Sequence, residues 1–279
     1  TRQVEDAGAD GIELNFSCPH GMPEKGMGMA IGQVPETTLM MTEWVKAVAK
    51  KPVMVKLTPN VTDICIIAKA AKKGGANALA TINTIQSLCG VNLDTLEPLP
   101  TVEGISSFGG YSGPAVKPIA LRLVTQLAQD KDIGLPISGI GGISTWQDAA
   151  EFILLGATTV QVCTGIMRAG YRIVEDMADG LLNFMDEKSF NSIDEMCGRV
   201  LSKIVAHEKL PRHPRIVSSV DTGTCTKCDL CYITCQDGGH QAITLDKNRL
   251  PVIDEEKCAG CGMCALICPV PNCVTLKKK

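Results

Sequence analysis

Two cysteine runs near the end of the chain have the residue type and spacing that iron–sulfur clusters require. Each run reads C-x2-C-x2-C-x3-C, with Cys225, Cys228, Cys231 and Cys235 in the first and Cys258, Cys261, Cys264 and Cys268 in the second. Three closely spaced thiolates can hold three corners of a [4Fe–4S] cluster, and in the bacterial two-cluster pattern the fourth cysteine of each run binds the other cluster. We therefore predict two [4Fe–4S] clusters, with Cys268 completing the cluster of the first run and Cys235 completing that of the second.

The residues after the two fourth cysteines differ in how well they fit this pattern. Pro269 follows Cys268 and matches the C-P ending of the two-cluster pattern, whereas Gln236 follows Cys235 and departs from it. Structural zinc sites also use C-x2-C pairs, but four ligands satisfy each zinc ion. Zinc gives no reason for the third C-x2-C step or for the x3-C step, so the spacing favours iron–sulfur clusters.

A third chemically useful group, residues 15–21, reads Asn-Phe-Ser-Cys-Pro-His-Gly and follows a short apolar segment. Residues 25–33 come next, and their glycines and methionines predict a long flexible loop that would suit an active-site lid. Cys18, between a strand end and Pro19, is placed like a general acid or a nucleophile, although most isolated cysteines are semi-buried structural residues. His20 could tune the pKa of that thiol or cap the loop.

The elements that must position these residues follow a repeating pattern of helix, Gly-Ala pair and strand. Gly-Ala pairs open apolar strand segments within 7–15, 74–83 and 155–163, and two further strands are predicted at 52–57 and 136–140. Helical patterns lie between the strands, at about 36–50, 62–73, 116–129, 145–155 and 172–185, with Thr62 as an N-cap. This alternation predicts a parallel β/α architecture, and near-continuous apolar runs predict strands buried on both faces.

A parallel β/α chain builds its site at the C-terminal ends of its strands, whether it forms a (β/α)8 barrel or a doubly wound sheet. Polar or glycine residues stand at those ends: Asn15, Lys56, Asn83, Gly141–Gly142 and Thr164. Only five strands can be counted, so a closed barrel of eight strands would need about three further βα units before Thr1. Residues 186–222 have weak periodicity and are predicted to be a connector with some helix at 193–208.

Composition sets limits on the class of protein. The chain has 279 residues, 14 cysteines and a formal net charge of −3, which gives no electrostatic case for nucleic acid as a partner. No segment has the length of a membrane span. With eight cysteines assigned to clusters, a reducing and cytoplasmic compartment is expected. Cys65, Cys89, Cys197 and Cys273 have no partner spacing and are predicted to be structural.

Taken together, the motifs resemble the flavin barrel of the dihydropyrimidine dehydrogenase family. The motifs that carry the resemblance are NFSCPHG (15–21), KLTPNV (56–61), TINT (81–84), GGYSGPAVKPIA (109–120), GIGGI (139–143) and QVCTG (161–165). The tail with two ferredoxin-like runs is similar to the iron–sulfur flavin subunit of the bacterial NAD-dependent members. The resemblance covers essentially all 279 residues.

This resemblance implies a fold and an activity. The expected fold is a TIM-type (β/α)8 flavin barrel with about five of its eight βα units at 1–185, the connector at 186–222, and a small α+β ferredoxin-like domain with two [4Fe–4S] clusters at 223–279. The implied reaction is the reversible reduction of uracil and thymine to their 5,6-dihydro forms. FMN would carry the hydride, and the clusters would relay electrons from a partner subunit that binds NAD(H) and FAD, in a hetero-oligomer.

The resemblance also implies roles for individual residues. Cys18 matches the catalytic acid that protonates C5 of the pyrimidine. The positions that match substrate-binding residues are Asn15, Phe16, Ser17, Asn83 and Thr84. Lys56 matches the lysine that faces the N1–C2 carbonyl region of the flavin, and the positions that match FMN phosphate and ribityl contacts are Gly113, Gly141, Gly142, Cys163 and Thr164.

Each of these assignments has a plainer alternative. An asparagine is more often a turn or cap residue, a lysine at a strand end is usually solvated, and the glycines could merely end strands. At the level of function, a dihydroorotate dehydrogenase-like flavoprotein shares the barrel motifs but is expected to recognise a substrate carboxylate. A non-catalytic electron-transfer module is the alternative from another class.

Overall fold

The computed structural model describes residues 1–19, 26–211 and 214–279. The chain divides into two compact units, Thr1–Ile204 and Val205–Lys279. The predicted connector at 186–222 spans the point of division. In the part of the chain that is described, no helix combines the length and the apolar character needed to cross a membrane.

The first unit contains strands β1–β9 and helices α1–α9. The strands are β1 (Ile12–Asn15), β2 (Val53–Lys56), β3 (Ala78–Thr81), β4 (Ile85–Ser87), β5 (Gly90–Asn92), β6 (Glu97–Leu99), β7 (Gly109–Tyr111), β8 (Ile137–Ile140) and β9 (Thr159–Gln161). The helices are α1 (Arg2–Asp6), α2 (Met29–Gly32), α3 (Pro35–Lys46), α4 (Ile64–Lys73), α5 (Lys117–Gln129), α6 (Trp146–Leu154), α7 (Thr164–Ala169), α8 (Ile173–Lys188) and α9 (Ile193–Met196). Short 3-10 turns lie at Pro114–Val116 and Leu201–Lys203.

A five-stranded sheet organises this unit, in the order β1-β2-β3-β8-β9. All four neighbouring pairs are parallel. The parallel β/α architecture predicted from the sequence is therefore confirmed. Because parallel strands all end at the same edge, the residues that follow β1, β2, β3, β8 and β9 are brought to one edge of the sheet.

The main core lies between one face of this sheet and the helices. Val53, Val55, Leu79 and Ile137 project into it and are at most 3% exposed. Full burial of an aliphatic side chain of this size contributes about 1.5–3 kcal/mol to the stability of the fold, so the packing of these strands against the helices stabilises the unit. The expectation of strands buried on both faces agrees with β3 and β8, which have three consecutive buried residues each, but it is wrong for β1 and β2, which alternate between more and less buried residues. The less buried face carries Glu13 and Lys56, whose polar ends form the network described below.

Helix ends differ in detail from the sequence prediction. The N-cap of α4 is Asp63, not Thr62, because the Asp63 side chain accepts a hydrogen bond from the backbone N–H of Cys65 at 2.9 Å. An N-cap carboxylate of this kind satisfies one of the unpaired donors of the first turn. The predicted helical region at 193–208 contains only α9 and two 3-10 turns, one of them at His207–Lys209.

The segment 85–111 between β3 and α5 was not predicted to contain strands. It forms two small antiparallel sheets, β4 with β7 and β5 with β6. Leu93 and Leu96 at the tip are 82% and 79% exposed. The strands are three residues long, too short to give a hydrophobic period in the sequence.

The second unit is a small α+β domain, as expected. Its elements are β10 (Ile216–Val220), α10 (Leu230–Asp237), β11 (Ile243–Leu245), β12 (Pro251–Ile253), α11 (Met263–Ile267) and β13 (Val274–Lys278). β10 pairs with β13 and β11 pairs with β12, both antiparallel. Each cysteine run enters a short helix, α10 after Cys228 and α11 after Cys261, so the sequence repeat is also a structural repeat.

Candidate active site and cluster sites

A cavity of about 270 Å³ lies at the C-terminal edge of the sheet. Eight predicted site residues line it: Lys56, Asn83, Thr84, Gly113, Gly141, Gly142, Cys163 and Thr164. They come from the ends of β2, β3, β8 and β9 and from the 3-10 turn before α5. The strand order puts Lys56 and Asn83 on one side of the cavity and the β8 and β9 ends on the other.

Asn15 and Ser17 are connected to the cavity through Asn83. The Asn83 Nδ2 group donates to Asn15 Oδ1 at 3.0 Å and to Ser17 Oγ at 2.8 Å. Ser17 Oγ in turn donates to Asn15 Oδ1 at 2.9 Å, and Asn83 Oδ1 accepts from the backbone N–H of Thr84 at 2.7 Å. This cluster offers amide and hydroxyl groups that can exchange their internal bonds for those of a ring edge that alternates donors and acceptors.

Cys18 lies in the segment that passes this cluster. Cys18 is half-buried. Pro19, the next residue, packs beside Gly110 and Thr84, since a Cβ built on Gly110 would lie 3.2 Å from Pro19 Cγ and closer still to the Thr84 side chain. Pro19 therefore lies near Thr84, which lines the cavity, whereas Cys18 itself is not among the described residues that line it.

Phe16 occupies a different environment from its neighbours in the motif. Its side chain is 5% exposed and belongs to the main hydrophobic core. Neighbouring residues of an extended segment point to opposite sides, so the side chains of Asn15 and Ser17 can meet Asn83 while that of Phe16 packs in the core. The Phe16 side chain therefore lies in the core and not among the groups that line the cavity.

The expectation of a long flexible loop at 25–33 is wrong for residues 29–32. Residues 29–32 form helix α2, and Met29 and Ile31 are buried. The Met29 N–H donates to the Cys18 carbonyl at 3.0 Å, which fastens the helix to the Cys18 segment. His20 and Lys25, about which the sequence also raised expectations, lie outside the described residues.

Lys56 is held by groups that the sequence analysis missed. Its Nζ lies 3.1 Å from Glu13 Oε1 and 3.1 Å from Gln161 Oε1. Gln161 Nε2 donates to Glu13 Oε2 at 2.7 Å and to Ser138 Oγ at 3.2 Å. The period of two along β1 was an available signal, because it places Glu13 on the same face as Asn15.

The opposite side of the cavity is a wall of bare backbone. Gly113 and Gly142 have φ of +93° and +79°, and a Cβ on Gly142 would lie 2.8 Å from the Gly113 carbonyl oxygen. Nearby, Thr164 Oγ1 donates to Ser112 Oγ at 3.0 Å. Bare peptide groups and hydroxyls at the start of helices suit a phosphate, so this wall fits the phosphate end of a flavin nucleotide.

In the second unit the eight motif cysteines divide between two cavities. One, of about 20 Å³, is lined by Cys225, Cys228, Cys231 and Cys268, and also by Cys273, which lies outside both runs. The other, of about 110 Å³, is lined by Cys235, Cys258, Cys261 and Cys264. Each cavity thus takes three cysteines from one run and the fourth from the other run. Among the residues that the structure describes, no three ligand side chains converge on a point where a single ion would sit.

Backbone N–H groups and one serine hydroxyl lie within hydrogen-bond distance of several of these sulfurs. Ser218 N–H donates to Cys258 Sγ at 3.4 Å, Ala242 N–H donates to Cys235 Sγ at 3.3 Å, and Ser218 Oγ lies 3.0 Å from Cys264 Sγ. Hydrogen bonds to sulfur are among the features that set the potential of an iron–sulfur cluster. A four-thiol donor set of this kind therefore fits such a cluster.

Burial makes two of the motif thiols harder to deprotonate. It raises the pKa of Cys231 to about 11, and it also raises the pKa of Cys264. Since metals bind cysteine as thiolate, cluster assembly must displace these protons. Burial likewise raises the pKa of Cys65 to about 11 and raises the pKa of Cys197, which agrees with structural roles for both.

Fold and sites together define a class of protein: a flavoenzyme built on parallel β/α units, fused to an iron–sulfur domain with two cysteine cavities. The family model for dihydroorotate dehydrogenase matches residues 1–185, and the model for the 4Fe-4S dicluster domain matches residues 218–276. The chain belongs to the dihydroorotate dehydrogenase family, in the branch formed by dihydropyrimidine dehydrogenase subunits.

Individual relatives support this placement. The chain is 48% identical over 277 residues to NAD-dependent dihydropyrimidine dehydrogenase subunit PreA of Escherichia coli strain K12, covering 99% of this chain and 67% of that protein. It is 45% identical over 217 residues to chloroplastic dihydropyrimidine dehydrogenase (NADP(+)) of Arabidopsis thaliana, covering 76% and 51% of the two chains. The catalytic subunit of dihydroorotate dehydrogenase B (NAD(+)) of Pyrococcus abyssi is 45% identical over 193 residues, 69% of this chain and 61% of that one.

A solved structure confirms the fold at lower sequence identity. The ligand-free DHODH from Eimeria tenella superposes with a TM-score of 0.56 at 22% identity, covering 75% of this chain and 59% of that chain. The expected flavin-barrel fold and the ferredoxin-like domain are thus confirmed, as is the resemblance found in the sequence. The chain is an oxidoreductase that uses a flavin and iron–sulfur clusters.

Proposed function

We propose that this chain catalyses the reversible reduction of uracil and thymine to their 5,6-dihydro forms. The observation that carries the proposal is the cavity at the strand ends, where Asn83, tied to Asn15 and Ser17, stands opposite the bare wall of Gly113 and Gly142. This arrangement supports a role for the Asn83 side in binding a pyrimidine edge and a role for the Gly113 and Gly142 side in binding a nucleotide phosphate.

The residues of the chain divide the work of this reaction. Asn15, Ser17, Asn83 and Thr84 bind and orient the pyrimidine edge. Cys18 donates a proton to C5 as the C5–C6 double bond is lost, and its thiolate is reprotonated from solvent. FMN, when bound, supplies the hydride that C6 receives and links this two-electron step to one-electron transfer. Lys56 would place a positive charge near the N1–C2 region of the bound flavin, where a cation stabilises the negative charge of the reduced ring.

The second unit supports the electron supply. We infer that Cys225, Cys228, Cys231 and Cys268 hold one [4Fe–4S] cluster and that Cys235, Cys258, Cys261 and Cys264 hold the other. The two cysteine cavities and the dicluster family model support this pairing. Because relatives are named as subunits of NAD-dependent enzymes, we propose a hetero-oligomer whose partner subunit binds NAD(H) and FAD.

Turnover with a chemical reductant tests the proposal without the partner subunit. We expect anaerobic protein supplied with reduced methyl viologen to consume uracil and thymine, and released flavin to be FMN by chromatography and mass. Oxidation of dihydroorotate in place of pyrimidine reduction would favour the dihydroorotate alternative, to which the Pyrococcus relative gives weight. Protein that holds flavin and clusters but turns over none of these compounds would be an electron-transfer module.

A further inference from the structure

A closed ring of hydrogen bonds surrounds the Lys56 ammonium. Lys56 Nζ is 3.1 Å from Glu13 Oε1 and 3.1 Å from Gln161 Oε1, and Gln161 Nε2 closes the ring by donating to Glu13 Oε2 at 2.7 Å. Only 14% of the Lys56 side chain and 32% of the Glu13 side chain are exposed. Because water screens a half-buried pair less than a surface pair, the Glu13 carboxylate offsets part of the electric field of the ammonium.

The orientation of the Gln161 amide follows from its other contacts. Its Nε2 donates to Glu13 Oε2 and to Ser138 Oγ, and Ser138 is 3% exposed. The amide nitrogen is a donor only and the amide oxygen an acceptor only, so the oxygen must face Lys56. The ring therefore holds the ammonium from two sides and is anchored in a buried hydroxyl.

Glu13 reaches Lys56 from behind the main cavity. Lys56 and Gln161 line the main cavity of about 270 Å³. Glu13 lines a separate cavity of about 260 Å³, together with Met54 and Gln161. Within the described residues, Glu13 is not among those that line the main cavity. Any effect of Glu13 on a ligand there must pass through Lys56 and Gln161 or through space.

We propose that Glu13 is a positioning residue that holds the Lys56 ammonium and sets how much positive charge a bound flavin experiences. The inference rests on the proposed function, in which Lys56 faces the flavin N1–C2 region. A cation there stabilises the negative charge of the reduced ring, and a carboxylate behind the cation draws the ammonium back from the flavin as well as offsetting part of its field. Glu13 therefore lowers the flavin potential and makes the reduced flavin a stronger hydride donor.

Substitution of Glu13 tests this through the potential of the bound flavin. Glu13→Gln removes the charge and keeps the shape of the side chain. We expect the ratio of affinities for reduced and oxidised flavin to rise about tenfold, which raises the two-electron midpoint potential by about 30 mV. An anaerobic spectroelectrochemical titration of the holoprotein measures it. Glu43→Gln is the matched control, because Glu43 is an exposed carboxylate on α3 and its loss changes the net charge equally.

Two further variants separate positioning from simple charge. Glu13→Asp keeps the charge but moves it away from Lys56 by one methylene, so we expect a smaller rise of the potential. If Glu13→Gln does not fold, the shift in Glu13→Asp tests the proposal instead. In a Lys56→Gln background, Glu13→Gln should shift the potential by less than half its original amount. Equal shifts in both backgrounds, or flavin bound with an unmoved potential in both Glu13 variants, would overturn the proposal. Wild-type protein that holds no flavin would instead contradict the proposed function.

Discussion

At the scale of single residues, environment separates the cysteines outside the cluster runs. Cys65 and Cys197 are poor acids because burial raises the pKa of both thiols. Cys18 is half-buried, its carbonyl accepts from the Met29 N–H of α2, and the next residue, Pro19, lies near Thr84 of the cavity. Of these three thiols, Cys18 is the one that lies next in the chain to Ser17, one of the residues proposed to bind the pyrimidine.

Replacement of Cys18 should therefore separate binding from chemistry. In Cys18→Ala we expect flavin content to stay at the wild-type value and pyrimidine turnover to fall by about a hundred- to ten-thousandfold, the usual contribution of a general acid. Cys18→Ser should retain little activity, because a hydroxyl is a much weaker acid than a thiol. Steady-state rates with uracil measure the loss. Cys89→Ala, at an exposed cysteine, is the matched control; equal rates in Cys18→Ala and the control would remove the role.

At the scale of elements, the glycine wall depends on how α6 is joined to α5. The loop 141–144 leads from β8 into α6, whose first turn has a capping box between Thr145 and Asp148. Lys117, on α5, lies 2.6 Å from Asp148 Oδ1 and 2.9 Å from Glu151 Oε2. Asp148 Oδ2 also accepts from the Ser144 N–H at 2.8 Å. One carboxylate thus connects the loop, the helix cap and the neighbouring helix.

The pKa of Asp148 gives this junction a defined pH dependence. Burial by itself would raise the pKa, but hydrogen bonds from Lys117, Ser144 and Thr145 outweigh it and hold the pKa below the usual 3.8. A carboxylate with a lowered pKa stabilises the fold above its ordinary pKa, and this contribution is lost as the pH falls through the lowered value. Hydrogen bonds that Lys117 donates to Asp148 and Glu151 raise the pKa of Lys117, so its contribution persists below 10.5 and is lost as the pH rises through the raised value.

Asp148→Asn should lower the free energy of unfolding by about 1–2 kcal/mol at neutral pH, the range expected for loss of a capping interaction. We expect the difference from wild type to be constant near neutral pH and to shrink below about pH 4 as the wild-type carboxylate takes up a proton. Chemical denaturation followed by circular dichroism over a pH series measures it. Asp179→Asn, at an exposed position on α8, should leave stability unchanged. A difference that persists undiminished at low pH would contradict this account.

At the scale of the whole molecule, features that depend on spacing along the sequence could be predicted, whereas contacts between residues far apart in the chain could not. The C-x2-C-x2-C-x3-C runs predicted which cysteines share a cavity, because three of each four lie within seven residues of one another. Local period and Gly-Ala pairs predicted the five parallel strands. Residues 29–32 were misjudged, because glycine content suggested a loop while the apolar Met29 and Ile31 favour burial. Glu13 and Gln161 were missed because only the folded sheet brings β1 and β9 together.

The crossed cysteine pairing leads to a prediction about metal content. Anaerobic protein should contain about eight irons and eight acid-labile sulfides per chain, from two [4Fe–4S] clusters. Cys235→Ser should damage the cluster held mainly by Cys258, Cys261 and Cys264 and leave the other cluster's paramagnetic signal in place. Iron and sulfide analysis with electron paramagnetic resonance measures both. Cys197→Ser is the control, and two zinc ions without sulfide, or loss of the first run's cluster in Cys235→Ser, would contradict the pairing.

The hydrogen bond between Glu13 and Gln161 also constrains the order in which the first unit folds. It joins residues 148 positions apart. Closing a flexible loop of that length costs about 4 kcal/mol of chain entropy, so the contact cannot form until the intervening strands have paired. During synthesis, β1, β2 and β3 emerge well before β9, and the nascent chain then carries Lys56 and Glu13 without the amide that orients them. We therefore expect flavin capture to be deferred until β9, the last strand of the sheet, has docked.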